Sequence, residues 1–229
     1  MAEPWRLRVI VFDLDDTLYP ERQFVLSGFA AAGAWLREQR GIPGFAEEAE
    51  RVFLGGQRKK VFDTALESLG LVPDSALVQA LVGVYRTHAP SIQLFPDADE
   101  VLEWAGREFK LGLITDGWLE TQRNKVAALG LERRISCRVL SDELGAASWK
   151  PSPEPYRKVM AFYGGEPEGF VYVGDNPAKD FVGARALGWR TVRVRRLEGE
   201  HFSMGATPES RAEYDIADLR ELTRIIVPS

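Results

Sequence analysis

Apolar and polar residues follow two different patterns along the chain, and the change falls near residue 95. Before that point there is one short apolar run, at residues 8–12. It is β-branched and aromatic, which is typical of a strand buried on both faces. The next stretch, up to Thr87, contains no convincing strand. Its spacing predicts helices separated by Gly and Pro breakers, at residues 24–37, 46–53, 58–67 and 75–85.

From Phe95 onward, helix and strand patterns alternate. The predicted helices lie at residues 97–105, 124–129, 155–162 and 179–187, and the predicted strands at residues 111–115, 138–140, 170–173 and 191–195, with a further short strand and helix at residues 213–222. Repeated strand–helix units imply a mainly parallel sheet with helices on both faces. We therefore expect an α/β core formed by residues 1–20 and 95–229. Residues 21–94 would form an all-helical cap inserted after the first strand.

Composition and charge limit the expected partners. With 229 residues, of which 45% are hydrophobic and 28% charged, the chain can bury a core and a smaller inserted unit. The formal net charge of −5 leaves no basic surplus to neutralise phosphates, so neither nucleic acid nor an anionic membrane is an expected partner. No apolar run approaches the roughly 20 residues of a membrane span. No pattern in the sequence indicates an oligomeric state.

Cysteine and histidine are scarce, which argues against several enzyme classes. The single cysteine, Cys137, excludes an internal disulfide and fits the reducing cytoplasm, where we expect the protein to act. Its apolar neighbours at residues 135–140 favour a buried, inert thiol over a nucleophile. His88 and His201 are too few for most zinc catalysis and a weak basis for a Ser-His-Asp triad. The GxSxG, GxxxxGK[ST], GxGxxG and CxxC motifs are absent.

Charged and hydroxyl side chains collect just after the predicted strands. Ligands of open parallel sheets bind beyond the carboxyl ends of the strands, so we expect these side chains to share one edge. The residues at these strand ends are Asp13, Asp15, Asp16 and Thr17 after the first strand, Thr115, Asp116 and Gly117 after the second, Lys150 after the third, and Gly174, Asp175 and Asp180 after the fourth. Close carboxylates repel one another unless a cation lies among them, and a set of oxygen ligands suits Mg²⁺.

The strand-end residues taken together indicate phosphoryl transfer. A carboxylate can attack phosphorus if Lys150 and a metal ion screen the phosphate charge, and Thr115 with backbone N–H groups can hold the remaining oxygens. A second carboxyl two residues after the nucleophile can act first as an acid and then as a base. For Asp16 or Asp116 alone, a role as a turn residue or helix N-cap is the interpretation that we favour.

Four motifs in order resemble those of the haloacid dehalogenase (HAD) superfamily, specifically of its phosphatase branch. They are DLDDT at residues 13–17 for DxDx[TV], ITDG at 114–117 for the strand-ending Thr or Ser, KPSP at 150–153 for the Lys before Pro-x-Pro, and VYVGDNPAKD at 171–180 for the strand with Gly-Asp and a second Asp. The resemblance runs from about Arg8 to Arg195. It implies a Rossmann-like fold in which the helical insert is a C1-type cap.

The resemblance also implies a role for each matched residue. Asp13 would be the nucleophile and a Mg²⁺ ligand, and Asp15 the general acid/base, with its backbone carbonyl on the metal. Asp175 would be a further Mg²⁺ ligand, supported from behind by Asp180. The phosphate-binding set would consist of Thr115, Asp116, Gly117 and Lys150.

Asp15 also bears on the type of reaction. Dehalogenases of this superfamily resemble the chain closely but lack an acid/base carboxyl at that position, so we expect a phosphatase that acts on a small phosphorylated metabolite. A nucleotide or sugar phosphate is the substrate class we favour, with Trp118 and Trp149 as candidates for stacking on it. A dehalogenase-like hydrolase and a non-catalytic or phospho-acceptor regulatory protein stay open as alternatives. The spacer between Gly145 and Lys150 is slightly longer than the pattern of the superfamily.

Overall fold

A six-stranded parallel sheet organises the protein, whose residues 5–228 are described by a computed structural model. The strands are β1 (Trp5–Leu7), β2 (Val9–Phe12), β3 (Lys110–Thr115), β4 (Cys137–Leu140), β5 (Phe170–Gly174), β6 (Arg190–Val194), β7 (Tyr214–Ile216) and β8 (Ile226–Pro228). The large sheet has the order β4-β3-β2-β5-β6-β7, and β1 and β8 pair separately. All of these pairings are parallel.

Helices belong to two compact units of the chain. One unit contains the described residues up to Glu21 and those from Gln93 onward, and the other is Arg22–Ile92. The helices are α1 (Glu21–Arg40), α2 (Phe45–Leu54), α3 (Val61–Ser68), α4 (Ser75–Thr87), α5 (Pro96–Glu108), α6 (Leu119–Ala128), α7 (Glu154–Tyr163), α8 (Val182–Ala186) and α9 (Leu222–Ile225). Within residues 5–228, none of them is long and apolar enough to cross a membrane.

The central strand β2 determines where functional residues can collect. It pairs with residues 110–113 of β3 on one side and with residues 170–173 of β5 on the other. The chain thus adds β3 and β4 to one side of β2, then crosses over and builds β5, β6 and β7 on the other side. Such a reversal is a topological switch point, and ligands of open α/β sheets bind there, beyond the carboxyl ends of the strands.

Aromatic side chains pack the core of the unit that contains the sheet. Phe170 stacks on Trp189 with ring centroids 4.8 Å apart, and Tyr156 meets Tyr172 edge-on at 5.0 Å. Aromatic pairs of this kind contribute about 0.5–1.5 kcal/mol beyond the area that they bury. The hydroxyl of Tyr156 donates to the backbone carbonyl of Asp180 at 2.7 Å. The core therefore supports one of the predicted site residues directly.

The helical unit Arg22–Ile92 has a core of its own. Buried Phe45 and Phe62 meet edge-on with ring centroids 5.4 Å apart. The ring nitrogens of His88 lie 2.7 Å from the carbonyl of Tyr85 and 3.1 Å from the hydroxyl of Ser27. Because both nitrogens have polar partners, His88 is a structural residue of this unit.

The prediction of an α/β fold built on a parallel sheet is confirmed, with differences at short elements. β1 and β8 were not predicted, because each has three residues and their pairing spans almost the whole chain. The helix predicted from residue 179 begins only at the start of α8. Before it, the side-chain oxygen of Asn176 accepts from the backbone N–H of Ala178 at 2.9 Å. This local bonding favours a turn over helix.

Candidate active site

The carboxyl ends of β2, β3 and β5 bring predicted site residues to one edge of the sheet. Asp13 follows β2, and its backbone N–H donates to the carbonyl of Val173 at 2.8 Å. Thr115 ends β3, and Asp175 follows β5. Asp13, Thr115 and Asp175 are 2%, 1% and 6% exposed. Burial of polar groups to this degree is costly unless they have partners, so the surroundings of each side chain decide what the edge can bind.

Lys150 reaches this edge from the loop before α7. The spacer between Gly145 and Lys150 contains one 3₁₀ turn, Ala146–Ser148. The buried ammonium donates to the carboxylate of Asp13, to the hydroxyl of Tyr172 at 2.9 Å and to the carboxylate of Asp180 at 2.8 Å. Burial alone would lower the pKa of Lys150, but Asp13 and Asp180 raise it well above its ordinary value. Lys150 is therefore a fixed positive charge beside Asp13.

Three buried aspartates form a cluster around this lysine. Among the described residues, Asp13, Asp175 and Asp180 each offer one carboxylate oxygen. These three oxygens lie within 4.8 Å of one another. Burial, followed by repulsion from Asp180 and Asp13, raises the pKa of Asp175 to about 9. Burial also raises the pKa of Asp13 to about 7, although the charge of Lys150 opposes this. The cluster therefore disfavours full ionisation unless a further positive charge is present.

The donor set of this cluster fits Mg²⁺. When ionised, three carboxylates and one ammonium carry three negative charges against one positive, a formal net charge of −2. Hard oxygen donors with an excess of negative charge are what Mg²⁺ requires of a protein site. Asp180 belongs to this cluster in addition to its ion pair with Lys150, so it is closer to the candidate metal site than the sequence suggested.

Asp15 points to a different set of partners. Its carboxylate accepts from the ammonium of Lys125 at 2.6 Å, from the side-chain amide of Gln122 at 3.1 Å and from the hydroxyl of Tyr19. The amide of Gln122 also donates to the hydroxyl of Thr115. Burial alone would raise the pKa of Asp15, but the charge of Lys125 and these hydrogen bonds lower it. Asp15 is thus a carboxylate held at both oxygens next to the Asp13 cluster.

Asp16 has the geometry of a turn residue. Its backbone is left-handed, with φ of 51°. Its carboxylate accepts from the N–H of Glu21, the first residue of α1, at 2.9 Å and from the N–H of Glu200 at 3.0 Å. Asp and Asn tolerate this backbone region better than most residues because their short side chains bond locally. Asp16 therefore shapes the turn after β2.

Asp116 and Gly117 shape the turn after β3. One carboxylate oxygen of Asp116 accepts from the backbone N–H of Lys150 at 3.3 Å, and the other lies 4.0 Å from the ammonium of Lys179. Gly117 has φ of 134°, and a Cβ there would lie 3.1 Å from the side chain of Gln122. Only glycine adopts this backbone without strain. These residues place Lys150 and Gln122 and bring a second lysine to the edge.

The turn after β2 is also held by residues from the far end of the chain. The guanidinium of Arg196 donates to Asp97 at 2.7 Å and to the backbone carbonyl of Thr17 at 2.8 Å. Asp97 also accepts from the N–H of Leu219 at 2.8 Å. The side chains of this ion pair are only 10% and 6% exposed. The conformation of residues 13–17 thus depends on a buried ion pair that involves α5 and the C-terminal region.

The two candidate stacking residues differ in exposure. Trp118 directly precedes α6 and is 56% exposed. Trp149 is half-buried, with its indole N–H buried and without a hydrogen-bond acceptor. Their contact with a substrate stays a prediction.

Cys137 lies away from these groups, in β4. It is a free, buried thiol, and burial raises its pKa to about 11. A thiol with so high a pKa holds very little thiolate at neutral pH, so it is a poor nucleophile. The structure agrees with the prediction of an inert cysteine.

The sequence did not single out four polar residues that border the site: Tyr19, Gln122, Lys125 and Tyr172. Tyr172 lies within the apolar strand β5, where a tyrosine looks like any other buried aromatic residue in the sequence. Gln122 and Lys125 lie in the strongly polar helix α6, where a lysine looks like a solvated side chain. A usable signal was their spacing of three residues, which places both on one helix face, directly after the Thr115 motif.

Comparison with known proteins agrees with this arrangement. A family model described as haloacid dehalogenase-like hydrolase matches residues 10–194. The chain belongs to this family. A glyceraldehyde 3-phosphate phosphatase from Methanopyrus kandleri is 30% identical, over 96% of this chain and 97% of its own length. A phosphoserine phosphatase from Thermus thermophilus is 35% identical, over 76% of this chain and 67% of its own. The prediction of a HAD-like hydrolase of the phosphatase branch is thereby confirmed.

Solved structures share the fold. The putative HAD-hydrolase YfnB from Bacillus subtilis is 22% identical and superposes with a TM-score of 0.68, covering 96% of this chain and 99% of its own. A 2-haloacid dehalogenase from Pseudomonas syringae is 26% identical with a TM-score of 0.65, covering 96% of this chain and 97% of its own. The predicted Rossmann-like α/β architecture of this superfamily is therefore confirmed.

Proposed function

We propose that this chain is a Mg²⁺-dependent phosphatase that hydrolyses a small phosphorylated metabolite through an aspartyl-phosphate intermediate. The observation that carries the proposal is the buried ion pair between Asp13 and Lys150 inside a cluster of carboxylates. A nucleophile held beside a fixed cation, in a cluster that needs a further positive charge, is suited to attack on a phosphate ester.

In the first half-reaction, a carboxylate oxygen of Asp13 attacks phosphorus. A bond forms between that oxygen and phosphorus, and the bond between phosphorus and the ester oxygen breaks. The ammonium of Lys150 and the hydroxyl of Thr115 bind the phosphoryl oxygens. Asp180 and Tyr172 keep the ammonium in place through their contacts at 2.8 and 2.9 Å. A bound Mg²⁺, held by Asp13, Asp175 and the backbone carbonyl of Asp15 with Asp180 close by, would supply further charge stabilisation.

Asp15 is the proposed general acid and base. To act as the acid, Asp15 must first take up a proton against the charge of Lys125, which lowers its pKa, and it then gives that proton to the departing ester oxygen. In the second half-reaction it takes a proton from the water that attacks phosphorus and releases Asp13. Support comes from its position two residues after Asp13 and from the side chains that hold its carboxylate.

Names of the relatives favour a sugar phosphate or a similar small ester as the substrate. Besides the two phosphatases above, a ribulose-1,5-bisphosphate 5-phosphatase from Halopiger xanaduensis is 28% identical over 95% of this chain and 98% of its own length. All three names describe small phosphorylated metabolites. We propose that the unit Arg22–Ile92 is a C1-type cap, and that the enzyme acts in the cytoplasm without a nucleic-acid or membrane partner.

Hydrolysis of p-nitrophenyl phosphate, with and without Mg²⁺, tests the mechanism in the native chain and in Asp13→Asn. Asparagine keeps the shape of the side chain but is a much poorer nucleophile, so kcat should fall by at least about 10³-fold. Asp215→Asn is the matched control, because Asp215 is exposed on β7 and should leave the rate unchanged. Turnover that survives in Asp13→Asn would contradict the nucleophile assignment.

A substrate screen separates the remaining alternatives. It should include glyceraldehyde 3-phosphate, phosphoserine, sugar and nucleotide monophosphates, and 2-chloropropionate. Mg²⁺-dependent release of phosphate from one class identifies the substrate. Release of chloride without phosphatase activity would favour a dehalogenase. No turnover with any ester would favour the non-catalytic alternative.

A further inference from the structure

Lys125 is a buried lysine that the reaction described so far does not use. It lies in α6 with a side chain that is only 4% exposed. Removing an ammonium from water is costly unless its partner compensates, so a lysine buried on a short polar helix calls for a specific reason. One partner is the carboxylate of Asp15, 2.6 Å away, whose side chain is 21% exposed.

Both oxygens of this carboxylate are held by one face of α6. Lys125 contacts Oδ1, and Gln122, three residues earlier, donates to Oδ2 at 3.1 Å. Residues three apart on a helix project in similar directions, so the two donors act together. The hydroxyl of Tyr19 donates to Oδ1 as well. A short aspartate side chain with donors at both oxygens has little freedom to change rotamer.

The same face also reaches the phosphate-binding set. The amide of Gln122 donates both to Asp15 and to the hydroxyl of Thr115. The proposed acid/base and a proposed phosphate ligand are therefore both contacted by one helix, although they belong to different strand ends. Proton transfer to a leaving group depends steeply on such positioning, since small displacements of a catalytic group cost large factors in rate.

From this geometry we infer that Lys125 is a positioning residue for Asp15, acting with Gln122 to aim the carboxyl at the leaving-group oxygen. The inference rests on the proposed phosphatase function. Lys125 itself does not contact the reacting atoms. Its loss should therefore impair proton delivery to the leaving group and spare the binding of the phosphoryl group by Asp13, Lys150 and Thr115.

Leaving-group dependence is the measurement that tests this role. The value of kcat/KM should be determined for 2,4-dinitrophenyl phosphate, p-nitrophenyl phosphate and β-glycerophosphate in the native chain and in Lys125→Met. Dinitrophenolate leaves without a proton, whereas an alkoxide needs one. We expect kcat/KM to fall about 10- to 100-fold for β-glycerophosphate and less than about 3-fold for the dinitrophenyl ester. The inhibition constant of inorganic phosphate, a competitive inhibitor, should change less than about 2-fold.

Three controls accompany this measurement. Lys158→Met makes the same substitution at an exposed position of α7 and should change nothing. Lys125→Arg keeps the positive charge and should restore part of the activity on β-glycerophosphate. Lys125→Gln keeps a hydrogen-bond donor without the charge, and it serves in place of Lys125→Met if thermal unfolding shows that the methionine variant does not fold.

The outcomes distinguish this inference from the proposed function. An equal loss on all three esters, or a parallel loss of phosphate affinity, would show that Lys125 is merely structural. Unchanged activity on β-glycerophosphate would show that it is dispensable. Either result overturns the inference while the native phosphatase stands. A native chain that hydrolyses no phosphate ester at all would overturn both.

Discussion

Gly174 shows how a missing side chain permits the carboxylate cluster. A Cβ at this position would lie 2.4 Å from the carboxylate of Asp180. That carboxylate is bound on both sides, by the ammonium of Lys150 and by the backbone N–H of Asn176 at 2.8 Å. It cannot move away without losing one of them. The glycine is therefore required by close approach, since its backbone φ does not lie in the left-handed region.

Gly174→Ala should accordingly damage the site. We expect kcat to fall at least about 10-fold and the melting temperature to drop by several degrees, because Asp180 must shift and weaken its ion pair with Lys150. Steady-state kinetics and thermal unfolding check this. Gly205→Ala is the control, since a Cβ at Gly205 has nothing within 4 Å. A fully active Gly174→Ala would show that the position of Asp180 does not matter.

Candidate residues were predictable where position alone reveals chemistry. Asp13, Thr115 and Asp175 were found because each stands at the carboxyl end of an apolar strand. Tyr172 and Lys125 were missed for a physical reason. Their role depends on where the tip of a long side chain ends, and neither hydrophobic periodicity nor strand boundaries carry that information.

Among the elements, α6 differs most from what its composition suggests. Its residues are mainly polar, yet Thr121, Gln122 and Lys125 are buried. Helices of this composition usually lie on the surface, with charged groups in solvent. Here the buried face is polar because it meets the polar edge of the sheet. A sequence pattern that equates burial with apolar residues cannot identify such a face.

The buried ion pair of Arg196 and Asp97 connects α5, the turn after β2 and the segment after β6. Breaking a buried pair leaves a charge without compensation, so Arg196→Met should lower the free energy of unfolding by about 3–5 kcal/mol. Denaturant titration measures this. Arg157→Met removes an exposed pair with Glu154 and should cost less than about 0.5 kcal/mol. Similar losses in the two variants would contradict a special role for Arg196.

For the molecule as a whole, strict alternation of helices and strands was enough to predict the parallel sheet. Each strand and each helix shows its own spacing of apolar residues. Because a helix separates successive strands, these strands are expected to pair in parallel. The pairing of β1 with β8 lay beyond this reasoning. Three-residue strands have too few positions to show a period, and their partners are separated by more than 200 residues.

Stability should respond to Mg²⁺ and pH together. The pKa values of Asp13 and Asp175 are raised from 3.8 to about 7 and about 9. Between about pH 4 and pH 9 the folded protein therefore binds more protons at these groups than the unfolded chain does. Their contribution to the free energy of unfolding falls as pH rises through this window.

A cation that replaces these protons should stabilise the fold more at high pH. We expect Mg²⁺ to raise the melting temperature more at pH 8.5 than at pH 6, because at pH 6 it must displace protons from Asp13 and Asp175. Differential scanning fluorimetry with and without Mg²⁺ at each pH isolates this effect from other titrating groups. Asp13→Asn should reduce the Mg²⁺-dependent shift. Equal shifts at both pH values would contradict a cation site in this cluster.

The hydrogen bonds that join residues 13–17 to Arg196 and Glu200 have a consequence for synthesis of the protein. During synthesis Asp13 leaves the ribosome long before Arg196 and Glu200. The turn that carries Asp13 thus acquires its hydrogen bonds from Arg196 and Glu200 only after those two residues have emerged. A nascent chain, even one with β2 to β6 already made, should be unable to consume the cell's phosphorylated metabolites. Catalytic competence would begin only after the segment that follows β6 has been made.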